Sequence, residues 1–516
     1  MRRQLNLALA CLVCGAIYVV GGLAGWRGVA VTNAADPTSC LPAGCLDAAF
    51  PANPNMSAFA PTGEKPQSKL WFNDGRWWAD MLNNDPNNPN NRKYYIFYLD
   101  GQTWVKTTTQ LDDRLPTQAD CLWDGTHLYV ASGAGSVPTG VDLDARLYRY
   151  SYNPANPPAT AYTLDSGFPA TIRSGGAETI VIDKDTTGQL WITYTQGSKV
   201  WINRSTTADN LWGTPFNPPN ATGDTNSASV AGDDISSLIA FNGKVGVLWS
   251  KQTPTNDPND TFYFAYHNDS DPDTTWQTAI AYRRANVSDD HINLKSLQAA
   301  GGDVFAVVKT SIGGSSTSDP RILVLRRASN GNWSHAVFVH QSEVTPQGTQ
   351  QTHHTRPILI VDSANHELHV FATLSDTNGI AIVHKQVAYP ASGLNDFPAG
   401  MGTDFIHVAQ VSHINDPTST KQNVDGSNGI NSIVVLASDS TSRLYAHNVM
   451  PLVIPSPTAT PTATPTRTPT PTPTATRTPR PTKTPRPPTA TPRPPTPTKT
   501  PQRAPGPPVY LPAIIR

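Results

Sequence analysis

Ser68-Lys69-Leu70-Trp71-Phe72-Asn73-Asp74-Gly75-Arg76-Trp77-Trp78 is the stretch that decides the fold. An apolar, aromatic run meets a tight polar turn ending in glycine, and a second apolar run leaves it. That is the pattern of two short strands joined by a hairpin. The unit returns about fifty residues later, a period that marks a repeat architecture. The second copy reads Asp120-Cys121-Leu122-Trp123, Asp124-Gly125, then His127-Leu128-Tyr129-Val130. Further copies begin the stretches 178–191, 234–249, 291–309, 356–371 and 431–445.

Working outward, a third strand follows in most copies, at 94–99, 146–150, 199–203, 261–266, 321–325 and 379–384. The turn after it often ends in Trp, at Trp104, Trp212, Trp276 and Trp333, ahead of a fourth strand. No long segment shows a helical period, so the class is all-β. Four antiparallel strands repeated six or seven times predict a β-propeller. A single blade is apolar on both faces and cannot stand alone. Stacking blades around an axis buries those faces, and closing the ring removes the exposed ends. Six full units are legible, and the seventh shows only two strands. Seven blades are expected, with six blades and a hairpin as the alternative. Closure requires a segment from the far end of the chain. That segment must come from 36–64, which has little strand character.

The turns Ser329-Asn330-Gly331-Asn332-Trp333 and Asp100-Gly101-Gln102-Thr103-Trp104 resemble degenerate Asp-box turns of sialidase-like (BNR) propellers. No copy carries the full Ser-x-Asp-x-Gly-x-Thr-Trp pattern. The resemblance implies that the Trp packs between blades. A sialidase clamps its substrate carboxylate with three arginines. Only Arg356 and Arg173 stand at suitable rim positions here, which argues against strict sialidase activity.

The ends of the chain have other compositions. Met1-Arg2-Arg3, the apolar run 5–24 and small residues up to Ala34 and Ala35 read as a secretory signal, 1–35, with an uncleaved anchor as the alternative. A linker at 36–65 precedes the propeller, 66–450. The stretch 451–508 is mostly Pro, Thr and Ala and cannot bury a core, so it reads as a disordered stalk. An apolar tail, 509–516, ends the chain. Of the 38 basic residues, nine lie in 451–516 beside no acid, which leaves 29 basic against 39 acidic residues elsewhere. An acidic body disfavours nucleic acid as a partner. The basic stalk suits contact with an anionic cell envelope. Export makes a Cys40–Cys45 disulfide plausible, with Cys121 a buried thiol. These features together predict a secreted or surface-attached protein.

In a propeller the first strand of each blade lines the central channel, and its start lies on the face where ligands usually bind. Charged or amide residues stand there in every copy. The expected catalytic set is Glu178, Asp234, His291, His354 and Arg356. The expected ligand-binding set is Asp120, Asp290, Asn293, Lys421 and Gln422. The expected partner is a polysaccharide or cell-surface glycan. Paired carboxylates suit glycoside hydrolysis. A His beside a cation or amide suits polysaccharide lysis, in which a uronate is neutralised and its neighbouring proton removed. A binding module without catalysis fits the same residues. No cofactor is expected, with Ca²⁺ as the alternative. The stretch Asp269-Ser270-Asp271-Pro272-Asp273 has the spacing of Ca²⁺ ligands but lacks the following Gly and the distal Glu.

Overall fold

The computed structural model describes residues 44–453, except 53–58, 64–65, 136–141, 255–256, 289–293, 313–318, 342, 344–352, 377–378 and 426–427. The expected signal, stalk beyond Val453 and tail lie outside the described residues.

Seven antiparallel sheets form the described body. Blade 1 runs Leu70–Asn73, Arg76–Leu82, Tyr94–Asp100 and Thr103–Gln110. Blade 2 is Gln118–Trp123, His127–Gly133, Ala145–Tyr152 and Ala170–Arg173, with Tyr162–Leu164 also on its third strand. Blade 3 has three strands, Val181–Lys184, Leu190–Gln196 and Lys199–Arg204, and isolated bridges such as Ile202 to Phe216 at its outer edge. Blade 4 comprises Ser236–Phe241, Lys244–Lys251, Thr261–Asn268 and Gln277–Arg283. Blade 5 comprises Leu294–Ala300, Asp303–Lys309, Pro320–Arg327 and Trp333–His340. Blade 6 comprises His353–Asp362, Glu367–Asp376, Gly379–Ala388 and Thr403–Ile406.

Blade 7 joins the two ends of the ring. Its inner strands are Asn415–Thr418, Ser432–Asp439 and Leu444–Pro451, and its outermost is Cys45–Ala49. The copy at 431–445 therefore supplies the second and third strands of this blade, not its first two. The closing strand lies in the stretch read as a linker. It pairs antiparallel with the third strand, Cys45 opposite His447 and Ala49 opposite Leu444. Buried Asp47 and His447 meet there, Nδ1 to Oδ2 at 2.7 Å. Cys45 is disulfide-bonded, while Cys121 is a free, buried thiol.

First strands of successive blades touch in order from blade 1 to blade 7. The ring returns to its start where Leu70 N–H donates to the Ser419 carbonyl at 3.2 Å. The apolar clusters fill the spaces between blades, as the two-faced pattern requires. The turn tryptophans pack on the preceding blade. Trp104 of blade 1 meets His447 of blade 7, Trp276 of blade 4 meets Trp191 of blade 3, and Trp333 of blade 5 meets Phe264 of blade 4. Centroid separations of 5.4 to 5.8 Å with steep interplanar angles are the favoured edge-on geometry. One glycine is required by packing: a Cβ on Gly246 would fall 2.4 Å from the Phe264 ring.

Candidate functional site

The starts of the inner strands do form a polar ring, but much of it is spent on holding the blades together. Asp120, fully buried in blade 2, accepts from Ser68 N–H of blade 1 and Ile182 N–H of blade 3, each at 2.8 Å. Lys421 reaches across from blade 7 and donates to the same carboxylate and to the Ile182 carbonyl, each at 2.5 Å. Lys69 donates to the Ala119 carbonyl at 2.5 Å, and Gln67 to the Ile180 carbonyl at 3.0 Å. These side chains tie blades 1, 2, 3 and 7 across the axis. Gln422 copies a strand residue: its amide accepts from Phe72 N–H at 2.6 Å and donates to the Phe72 carbonyl at 3.0 Å. A side-chain amide thus pairs blade 7 to blade 1.

Two other expected residues, Asp234 and His354, are likewise drawn inward, and Arg356 is paired at the rim. The Asp234 carboxylate is buried and accepts from Ala231 N–H (2.7 Å) and Gln252 N–H (3.1 Å). Burial raises its pKa, and hydrogen bonds from Ser250, Ala231 and Gln252 oppose the rise. His354 is buried between blades 5 and 6. Its ring stands edge-on to Phe338, and Nε2 lies 2.7 Å from the Met401 carbonyl. That places the imidazole away from the channel, because alternate residues of a strand face opposite sides of the sheet. Arg356 stays at the rim, where its Nε lies 2.6 Å from Asp416 Oδ1. The expected convergence of these three side chains on one site is therefore corrected. Asp290, His291 and Asn293 lie outside the described residues.

Among the described members of the expected catalytic set, Glu178 is the one that lines the cleft over blades 2 to 4. This cleft, of about 760 Å³, lies on the face carrying the connections between blades. Its walls are Gly176, Ala177 and Glu178 from the blade 2–3 connection, the turn Gln196-Gly197-Ser198 of blade 3, and Ala231, Gly232 and Asp233 from the blade 3–4 connection. Gln118 contributes from blade 2, and Thr195 adds a hydroxyl bonded to the Asp234 carbonyl at 2.9 Å. Asp233, beside the inward-turned Asp234, is exposed and faces this cleft.

The walls are held firmly. Gln196 Nε2 donates to the Ser174 and Gly176 carbonyls at 3.2 and 3.1 Å. Gly175 N–H donates to Asp144 at 2.7 Å, and Gly175 takes a left-handed φ of +77°, which glycine adopts without steric cost. Behind the wall, Arg173 is buried against the Tyr194 ring and donates to the Gly175 and Leu143 carbonyls. Burial pulls its pKa down to about 10. Among the lining residues there are two carboxylates and no Lys or Arg. The wall turn at 196–198 was not among the expected residues, and Asp233, though at a strand start on the expected rim, was in neither expected set. The sequence signal for the turn was available, since second-to-third-strand turns share a face with the strand starts.

The three carboxylates of the calcium-like stretch do not converge. Asp269 takes Thr186, Asp271 takes Asn268, and Asp273 pairs with Arg204.

No family model and no curated protein matches the chain. Among solved structures it resembles the polysaccharide lyase Uly1, with 11% identity, 75% of this chain and 90% of that one covered, and a TM-score of 0.44. It also resembles the phage phi92 endosialidase, with 13% identity, 82% and 72% coverage and a TM-score of 0.36. A GH43 endo-arabinanase from Bacillus licheniformis matches at 10% identity, 55% and 99% coverage and a TM-score of 0.30. Likenesses of this size assign no activity.

Proposed function

We propose that this propeller binds a neutral glycan in the cleft over blades 2 to 4, outside the cell. One observation carries the reading: Glu178 and Asp233 line a single open cleft whose other walls mix main-chain, amide and hydroxyl groups with the apolar side chains of Pro116, Leu143, Ala177 and Ala231. Its volume falls within the usual range for small-ligand sites. A polyhydroxylated ligand suits such walls. Sugar hydroxyls donate to carboxylates in short, charge-assisted bonds, and the amides and serine hydroxyl serve the remaining oxygens. A uronate would meet two carboxylates and only a buried guanidinium already engaged by carbonyls. This favours neutral over acidic sugars. The N-terminal apolar segment and the disulfide at Cys45 support an exported protein, and the Pro/Thr stretch supports display on a stalk that touches the cell envelope.

Two carboxylates in one cleft also support a second reading, glycoside hydrolysis with one group as acid and the other as base or nucleophile. A lyase reading that uses His354 and Arg356 has less support, since neither lines the cleft. The test is a panel of neutral and acidic polysaccharides offered to the full chain, followed by binding calorimetry and reducing-end release. Binding of a neutral polymer without new reducing ends supports the binding module. New reducing ends support the hydrolase. Binding confined to uronate polymers contradicts both.

A further inference from the structure

We propose that Asp362, Glu367 and His369 hold a divalent transition-metal cation of the Zn²⁺ class at the edge of blade 6 opposite the glycan cleft. The first hairpin of that blade builds the cluster. Asp362 ends the first strand and stands directly opposite Glu367, which opens the second. His369 follows Glu367 by two, so both project from the same face of the sheet. Their ligand atoms all lie within 4.8 Å of one another.

Two features of these residues call for a cation. The Asp362 carboxylate is fully buried and is bonded by the main-chain and side-chain amides of Asn365, at 3.0 and 2.7 Å. Among the described residues it has no ion-pair partner. Buried charges are normally paired or coordinate a metal. Independently, His369 is buried, and its Nε2 has no hydrogen-bond partner among the described residues. That nitrogen points toward Glu367, 3.7 Å from Oε2.

The other ring nitrogen is already oriented. His369 Nδ1 lies 3.2 Å from His384 Nε2, with the two rings nearly parallel at 10°. A partner on the second nitrogen fixes the tautomer of a metal-ligating imidazole. One imidazole and two carboxylates match the N/O preference of Zn²⁺. Tetrahedral geometry with bonds of about 2 Å needs ligand atoms about 3.3 Å apart. Glu367, partly exposed, can close that gap by rotation and leave a fourth position to water.

The place gives the site a role. Asn365, which holds Asp362, also donates to the Val453 carbonyl at 3.1 Å, where the chain leaves the last blade. A bound cation would pin this hairpin beside Val453, at the end of the described chain.

The test is Zn²⁺ titration of the metal-stripped full chain by calorimetry, with Co²⁺ as a spectroscopic substitute. One Zn²⁺ per chain is expected, with a raised melting temperature. Glu367→Gln should weaken affinity by 10- to 100-fold while the metal-free melting temperature stays close to that of the parent. His369→Gln should abolish the Co²⁺ ligand-field band. His407→Ala, which removes an exposed His beside Asp404, should change neither. Absence of saturable binding, unchanged affinity in Glu367→Gln, or loss only in His407→Ala would each overturn the proposal.

Discussion

Arg356 Nε lies 2.6 Å from Asp416 Oδ1, and both residues hold left-handed backbone angles, φ +50° and +54°. The pair links the first strand of blade 6 to that of blade 7. Arg356 sits where the strand register slips, between Thr355 and Ile358. A bulge there turns the guanidinium toward its neighbour, at a steric cost of roughly 1–2 kcal/mol for a residue with a Cβ.

This predicts an inverted substitution order. Arg356→Ala loses the ion pair and keeps the strain, whereas Arg356→Gly loses the pair and relieves the strain. Glycine should be the more stable variant by about 1 kcal/mol, read by urea unfolding. Equal stability, or a better alanine, would show that the bulge is unstrained. Neither variant should alter glycan binding.

Lys421 is predicted to be structural. Its removal as Lys421→Met leaves the buried Asp120 carboxylate without its cation, a change that costs roughly 3–5 kcal/mol. The double variant Lys421→Met with Asp120→Asn should recover part of that loss. Denaturation midpoints check both. If the single variant is as stable as the parent but loses ligand, the ring across the axis is the binding site after all.

Asp80 predicts a pH dependence. Burial pushes its carboxyl up to about 7, against the opposing pull of Lys69. The folded state therefore holds a proton that the unfolded state releases near pH 4. Its contribution to stability is full below about pH 4 and is lost as pH rises through about 7. Asp80→Asn abolishes the titration. Relative to the parent, this variant should gain stability between pH 4.5 and pH 8, by at most about 4 kcal/mol at 1.36 kcal/mol per pKa unit. A constant difference across that range would mean that Asp80 does not titrate there.

The ring of blades was readable because each blade repeats a local pattern, two apolar strands around a polar glycine turn. Asp124-Gly125 and Asn73-Asp74-Gly75 declare their hairpins without help from distant residues. The closing strand was hidden for the opposite reason. Cys45-Leu46-Asp47-Ala48-Ala49 is half exposed and has one large apolar side chain, and Asp47 finds its partner in His447, 400 positions away. The site was partly readable. Phase within the repeat placed Glu178, Asp120 and Asp234 near one rim, but not the direction of each side chain. Asp233 and Asp234 are adjacent and face opposite ways, one into the cleft and one into main-chain amides. His354 was misplaced in the same manner, since one step along a strand exchanges channel for blade interface.

The central claim is that Glu178 and Asp233 receive a neutral glycan. The most direct measurement is the affinity of Glu178→Gln, Asp233→Asn and Arg356→Ala for the neutral polysaccharide that the parent chain binds most tightly. Each carboxylate variant keeps its shape and loses a charge-assisted bond, so each should weaken binding by about 1.5–3 kcal/mol, roughly 10- to 150-fold. Arg356→Ala should bind as the parent does. Retained affinity in both carboxylate variants together with loss in Arg356→Ala would contradict the account and move the site to the rim of blades 6 and 7.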